Sequence, residues 1–442
     1  MRRAGAALLH RWLDGFVRPG EMPALLWSFA YFFFLLAGYY VLRPLRDEMG
    51  IAGGVRNLQW LFTATFVVML VAVPAFGALV ARLPRRRFIP LVYQFFVANI
   101  LVFWLLLSLD VGKVAVARVF FVWISVFNLF AVSVFWSYMA DLFGSEQGKR
   151  LFGLIAAGGS AGALLGPLLT VALAQALGPV NLLLLAAVLL ELAIFCARRL
   201  ESVVVPVAET LRADDEAQGL GGGWLAGIAM LLRSSYLRGI AAWVCLLSLA
   251  GTFLYFQQAS IVAAASDDPA VRTRIFAMID LAVGLLTILL QCLATGRLIR
   301  RFGIGPAAAF LPAVFALGFL LLAVSPALGV VVAFQALQRT ANFAISNPAR
   351  EILFTVVARA EKYKAKNVID IVIFRGADAL NGWLFAAVRG IGLELTSIAL
   401  ATLPLTAAWF ALALALGRAQ ERRALQAPMS GAGATPLPIR GA

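Results

Sequence analysis

The stretch YYVLRPLRDEMG, residues 39 to 50, ends a long apolar run with two arginines, an aspartate and a glutamate. On a helix, Tyr39, Arg43 and Arg46 or Asp47 share one face. Two guanidinium groups about a turn apart can each donate bidentate hydrogen bonds to a phosphate or carboxylate, so Arg43 and Arg46 read as an anion-contacting pair. Asp47 and Glu48 would keep them paired while no substrate is present, or compete with substrate during exchange; the competing reading of the arginines is interfacial snorkelling with local ion pairs. Further on, Gln335, Gln338, Arg339 and Asn342 recur at i, i+3, i+4 and i+7, and Ser346 continues the stripe. NPAREILF comes next, in which Pro348 removes a backbone donor and Arg350 and Glu351 stand within the next turn. Beyond it come Lys366 and then Asp370, Arg375, Asp378 and Asn381, which span less than half of a helix circumference. Gln257 and Gln258 add a third polar patch. Such side chains are costly in lipid and seldom face it, so they point to a central aqueous cavity lined by the first, seventh, tenth and eleventh spans. The competing reading is hydrogen bonding that holds the helices together, and an Arg375 to Asp378 pair at i, i+3 would make that charge structural.

The same inventory excludes most catalytic chemistry. His10 is the only histidine, so neither a Ser/His/Asp nor a Cys/His set is available, and a metal site is not expected. Cys196, Cys245 and Cys292 all lie inside apolar runs, where a thiol acts as a small hydrophobe. GSEQGKR, 144 to 150, is one residue short of a Walker A loop and lacks its Ser/Thr, which argues against ATP-driven pumping. No cofactor is implied. A transporter, a membrane enzyme and a non-transporting scaffold or assembly factor remain the classes to separate, with the polar stripes favouring the first.

These residues need elements that can hold them inside a membrane. Hydrophobic residues make up 62% of the 442-residue chain and charged ones 13%, against roughly 45–50% and 25% in a soluble domain. Apolar runs of about 20 residues recur from end to end, and lipid leaves such runs only the helix or the closed barrel. The runs lack the period-two alternation of barrel strands. The sequence therefore predicts an all-α polytopic membrane protein with about twelve spans, starting near Ala24, Leu58, Phe88, Val114, Leu151, Asn181, Gly239, Ile275, Ala307, Leu328, Val368 and Ser397. The beginning of the chain, interrupted by His10, Arg11 and Asp14, is a poor cleavable signal.

The net charge of +15 is carried by arginines that punctuate the spans and do not form a single basic face, so nucleic acid is not an expected partner. With the N-terminus in the cytoplasm, the clusters around Arg2, Arg82 to Arg87, Lys149, Arg198, Arg297 to Arg301, Arg359 to Lys366 and Arg418 all fall inside. An even span count returns the C-terminus to the same side. The expected organisation is an N-terminal six-helix half (1–197), a cytoplasmic linker (198–235), a C-terminal six-helix half (236–417) and a cytoplasmic tail (418–442). A bacterial inner (cytoplasmic) membrane and a monomer are the expected setting, with lipid and a small anionic solute as the partners.

GALVARLPRRR (77 to 87) follows the second span and GRLIRRFGIG (296 to 305) follows the eighth, and both contain G-x-L-x-x-R. Equivalent loops in two halves indicate duplication. At these residues the chain resembles the major facilitator superfamily, whose loop signature is G-x-L-x-D-R-x-G-R-R. Gly77, Leu79, Arg82, Arg85 and Arg86 match, while Ala81 and Pro84 depart from it; Gly296, Leu298, Arg301 and Gly303 match in the second copy. The resemblance implies two six-helix halves working by alternating access, with Gly77, Arg82, Arg85, Gly296 and Arg301 at the gate. In the fifth span, GLIAAGGSAGALLGP sets Gly153, Gly162, Gly166 and Pro167 at the spacing of that superfamily's exchanger motif, without its final glycine pair. Gly158, Gly162 and Gly166 would form a smooth ridge for close crossing or sliding, and Pro167 a bend.

Two further segments, about a tenth of the chain, resemble the ATP/ADP translocase family of nucleotide exchangers. YYVLRPLRD is similar to that family's L-R-x-x-K-D, setting Arg46 on its substrate-relevant lysine. NPAREILFTVVARAEKYKAKNVIDIVIFRGAD is similar to its P-[TA]-[KR]-E…K-x-K-A-x-x-I-D-V, matching Pro348, Arg350, Glu351, Lys364, Lys366, Ile369 and Asp370. The resemblance implies an anion exchanger, with nucleotide as one candidate cargo. Two departures bear on that: apolar residues around Ile124 replace a family glutamate, and Asp378 stands near a family lysine.

Overall fold

A computed structural model describes residues 17–18, 20–82, 85–203, 230–295, 297, 301, 303–357, 365–366 and 368–426. Among them twelve helical spans and no strand are found. They are α1 (Met22–Ala52), α2 (Leu58–Arg82), α3 (Arg85–Ser108), α4 (Lys113–Leu142), α5 (Ser145–Leu177), α6 (Leu182–Val203), α7 (Ser235–Ala265), α8 (Pro269–Leu290), α9 (Ile304–Val324) and α12 (Leu395–Gln426). Two spans between the last pair are composite. α10 comprises Leu328–Ala341, a π turn Asn342–Ser346 and Asn347–Leu353; α11 comprises a π turn Val368–Ile373 and Phe374–Gly390. Every helix starts within two turns of its expected position.

Ten of the helices are long and apolar enough to cross a membrane. The two that fall short do so for visible reasons. α6 carries Glu191, Arg198 and Arg199, and α10 carries Gln335, Gln338, Arg339 and Asn342. The chain is an all-α polytopic membrane protein, and its outward surface carries large exposed apolar side chains such as Val71, Leu91, Leu105, Leu285 and Leu320, as lipid requires.

Local chemistry sets the helix ends. Pro269 starts α8 behind Asp268, whose carboxylate accepts from Ala270 N–H at 2.8 Å. Ser234 caps α7 in the same way, accepting from Leu237 N–H. α5 stops at Gly178, whose φ of 77° is available to glycine at little cost.

Buried side chains gather into two main clusters. One is built from α1, α3, α4, α5 and α6, and the other from α7, α9, α10, α11 and α12. Ile51, Leu58, Leu61 and Phe121 belong to the second, so the two cores merge at the end of the bundle where α1 finishes. Between the first six and the last six helices runs a seam where α1 and α5 face α8 and α2 faces α11. α6 runs on to Val203 and α12 to Gln426, while 204–229 of the expected linker and 427–442 of the expected tail lie outside the described residues.

Candidate functional site

The polar residues meet in the seam. Arg43 and Arg46 project from the second half of α1, on either side of Pro44. Asp280 of α8 stands opposite, with its side chain only 2% exposed. Its Oδ1 lies 3.4 Å from Arg43 Nη1 and 2.6 Å from Arg339 Nη1 of α10. Neither guanidinium aligns an N–H on it, so both contacts are ion pairs without a hydrogen bond. One buried carboxylate thus serves cations from both sets of helices.

The other groups attach to this centre. Arg46 lies 3.6 Å from Asp47 and rests on the face of Phe121 at 4.3 Å, a cation–π contact. Tyr255 of α7 donates its hydroxyl to Asp47 Oδ1 at 3.0 Å. On the α7/α11 side, Ser248 donates to Asp378 at 2.6 Å and accepts from Asn381 at 3.1 Å, while Arg375 lies 3.7 Å from Asp378. Gln338 donates to Gln335, which donates to Gln258, a buried amide chain tying α10 to α7. Gln257 is buried with neither amide atom hydrogen-bonded, and Asn342 Oδ1 and Arg339 Nη2 also lack partners. Buried polar atoms without a partner are ones that a bound group could satisfy.

Several expected positions sit elsewhere. Arg350 pairs with Asp370 at 3.3 Å, and Lys366 donates to both oxygens of Glu351 at 2.7 Å. These four form a separate cluster at the Leu353 end of α10. Arg339 and Arg350 are 11 positions apart on α10, roughly 16 Å at helical rise. The π turns explain the split, since each inserts an extra residue per turn and rotates the helix beyond it. Asp370 consequently leaves the face of Arg375, Asp378 and Asn381. Glu48 also differs from expectation. It does not pair with Arg43 or Arg46 but takes a two-pronged ion pair from Arg272 of α8, both bonds at 2.7 Å, while Arg272 also donates to the Ser266 carbonyl.

The glycine ridge of α5 faces α1, not the opposing helices. A Cβ at Gly158, Gly162 or Gly166 would collide with the carbonyl oxygens of Phe29, Phe33 and Ala37, three successive turns of α1. Pro167 is buried beside them, and Gly153 has open space around it. Arg301 is exposed and engaged in a contact. Gly296 and the side chains of Gly77, Arg82 and Arg85 lie outside the described residues.

Among the described residues, several contacts cross the seam near the Ala52 end. Besides Glu48 with Arg272, they include Trp383 donating to Thr63 at 3.1 Å, Trp60 edge-on to Trp383, and Arg274 donating to Gln175 at 3.0 Å. Beside them lies a cleft of about 610 Å³ between Arg56 and Gln59 on one side and Phe256, Phe385 and Arg389 on the other.

Residues 22–363 match the profile of the Major Facilitator Superfamily. Solved structures share the fold. The nucleoside transporter NupG superposes with a TM-score of 0.62 at 14% identity, covering 92% of this chain and 100% of its own. A bacterial homologue of the human lysosomal transporter Spinster, inward-facing and unoccupied, gives 0.57 at 13% identity, covering 93% and 98%. A POT family transporter in complex with 5-aminolevulinic acid gives 0.59 at 13% identity, covering 90% and 96%. No curated protein sequence matches the chain. With more than half its length on the family profile and a seam of charged residues between two sets of six helices, the chain belongs to the Major Facilitator Superfamily of membrane solute transporters.

Proposed function

We propose that the chain moves a small anionic solute through the seam by alternating access, the first six helices rocking against the last six. The observation that carries this reading is the convergence of Arg43, Arg46 and Arg339 on only two carboxylates, Asp47 and Asp280. The surplus cation stands in a span-buried position, where an unmatched charge is costly unless a ligand completes it. Tyr255 supplies a hydroxyl group on Asp47, Tyr39 shares the helix with Arg43 and Arg46, and Gln257 and Asn342 supply amide atoms without partners. Arg350, Glu351, Lys366 and Asp370, already paired among themselves, act at the Leu353 end of the path and not at its centre.

The clustering of arginines supports cytoplasmic N- and C-termini, with a bacterial inner membrane as the setting of this reading. In that orientation the Ala52 end, where the described seam contacts gather, faces outward. The similarity of YYVLRPLRD to the nucleotide exchangers, with Arg46 at their lysine position, keeps nucleotides on the list of anions to try. The carboxylate of Asp378 where that family has a lysine favours a cargo with less charge than a triphosphate.

The test is uptake into proteoliposomes of the full chain, preloaded in turn with nucleotides, inorganic phosphate or organic anions. The reading expects labelled anion to enter against a preloaded anion and not against a neutral sugar. A folded, reconstituted protein that moves no member of the panel would instead support a scaffold role on a transporter fold.

A further inference from the structure

The turn between α1 and α2 and the end of α11 each carry an arginine, and the two stand on opposite walls of the cleft at the Ala52 end. Gly54, at a φ of 100°, swings the chain from α1 into a single helical turn, Val55–Asn57, which holds Arg56 just ahead of α2. Arg118 of α4 steadies that corner by donating to the Gly53 carbonyl at 2.9 Å. On the other wall Arg389 stands in the last turn of α11 and donates to the Leu393 carbonyl at 3.1 Å. Gln59 and Ser260 add an amide and a hydroxyl, and Phe256 and Phe385 add apolar rings, to a cleft of about 610 Å³. No acidic side chain is among the described residues that line it, and neither arginine has an ion-pair partner among the described residues.

Depth in the membrane separates this cleft from the ion pairs at the centre of the seam. Arg56 lies two residues before α2 begins and Arg389 one residue before α11 ends, so both guanidiniums sit where a bilayer passes from hydrocarbon to headgroups. The dense arginine clusters of the chain lie at the opposite ends of the spans, so topology does not account for this pair. One turn deeper, the missing side chain of Gly382 lets α11 come against Gln59 and Phe256, each 3.3 Å from where a Cβ would stand, and this floors the cleft. Trp60, Leu380, Trp383 and Leu384 are exposed beside it, the two indoles edge-on with centroids 4.6 Å apart. The cleft therefore has a cationic mouth at headgroup depth and an apolar wall that continues into the lipid. A soluble anion needs only the mouth; a phospholipid uses both. Two guanidiniums without a carboxylate also choose between headgroups, attracting an anionic one and repelling the ammonium of a zwitterionic one.

We propose that the cleft between α2 and α11 binds an anionic phospholipid, its phosphate held by Arg56 and Arg389 and an acyl chain lying along Trp60, Leu380, Trp383 and Leu384. Guanidinium groups suit phosphate in shape as well as charge, each offering parallel N–H groups to two oxygens. Arg56 belongs to the first six helices and Arg389 to the last six, so one lipid joins the two sets at the end where Glu48 with Arg272 and Trp383 with Thr63 already cross. A lipid that engages both walls favours the arrangement that keeps them at this separation. The site stands whatever solute the seam carries.

The experiment is native mass spectrometry of the detergent-purified full chain, titrated with phosphatidylglycerol or with phosphatidylcholine of the same acyl chains. An arginine at an anionic headgroup contributes roughly fivefold in affinity, so wild type should bind phosphatidylglycerol about tenfold or more tighter than phosphatidylcholine. In the double variant Arg56→Gln/Arg389→Gln that preference should fall to about twofold or less. Arg418→Gln/Arg422→Gln, which removes two exposed cations from the far end of α12, should keep it. Equal binding of the two lipids by wild type, or an undiminished preference in Arg56→Gln/Arg389→Gln, overturns the proposal. Glycerol phosphate that binds wild type as tightly as phosphatidylglycerol overturns it too, because the cleft would then hold a free anion with no use for the apolar wall. Arg56 and Arg389 are both exposed, so their replacement leaves the core intact; the wild-type comparison of the two lipids decides the matter alone if the double variant does not fold.

Discussion

Single side chains in this protein can be sorted by what satisfies them. Arg46 has Asp47 at 3.6 Å and the ring of Phe121 beneath it, but its Nε has no partner. A charge-assisted hydrogen bond to a bound anion is worth about 1.5–3 kcal/mol, so Arg46→Ala should lower anion uptake by roughly 10- to 150-fold at equal membrane abundance. Initial uptake rates normalised to immunoblot signal check this, and an unchanged rate would remove Arg46 from the site. Outside the spans, Glu21 is held by Arg150, whose two terminal nitrogens sit 2.9 and 3.0 Å from its oxygens. That hydrogen-bonded pair, helped by Arg18 N–H and Gln147, lowers the Glu21 pKa from 4.5 to about 2. A depressed carboxylate stabilises the fold above its ordinary pKa and loses that contribution as pH falls toward the folded value. Melting curves in detergent should therefore show wild type losing stability between about pH 4.5 and 2, and Glu21→Gln should begin lower at pH 7 and respond less over that window. Parallel curves for the two proteins would contradict the assignment.

Residue-level reading of the sequence found the arginines but undervalued the group that organises them. Arg43, Arg46 and Arg339 stood out because guanidiniums in apolar runs are rare. Asp280 carries the same signal as a lone carboxylate inside a span, but what distinguishes it is a three-body geometry formed by α1, α8 and α10, and no spacing within one segment encodes that. Tyr255 and Ser248 were invisible for the same reason, since each matters through a partner more than a hundred positions away.

At the scale of the element, periodicity foretold the helices well because lipid admits no other backbone arrangement here. The π turns were not legible. Pro348 announced a missing donor, but the extra residues from Asn342 to Ser346 that accommodate it are a choice of three-dimensional packing. Their effect is functional: the stripes expected to run straight along α10 and α11 are rotated partway, and the charged residues divide into two clusters. The glycine ridge of α5 packs directly on the backbone of α1. A side chain at Gly162 must push into the Phe33 carbonyl and the Ala37 amide of a neighbouring backbone. Gly162→Val should therefore cost about 3 kcal/mol, the upper part of the range for overpacking, read as a lowered melting temperature and reduced membrane abundance. Gly153→Ala, with open space around it, should change neither.

For the whole molecule the question is which end of the seam is held shut and by what. Glu48 and Arg272 form a buried two-pronged pair between α1 and α8, and removing one member of such a pair typically costs about 3–5 kcal/mol. If that free energy holds the Ala52 end together, Glu48→Gln shifts the balance toward opening there by a factor on the order of a hundred or more. Spin labels at Arg56 and Arg389, which face each other across the cleft, should report a longer distance in Glu48→Gln than in the parent. An identical distance distribution would show that the pair does not control this end. The similarity of the loops after the second and eighth spans is the sequence feature that suggests a two-part plan, whereas the seam contacts join residues far apart in the chain and carry no such signature.

The central claim is that this seam is a water-filled, cation-rich passage open in turn to each side of the membrane. Its most direct test is labelling of Tyr39→Cys, in a background with Cys196, Cys245 and Cys292 replaced by alanine, by a membrane-impermeant thiol reagent applied to one side or the other of sealed vesicles. The account predicts reaction from both sides, faster from the cytoplasmic face and slowed by a transported anion. No reaction from either side in folded protein would contradict it.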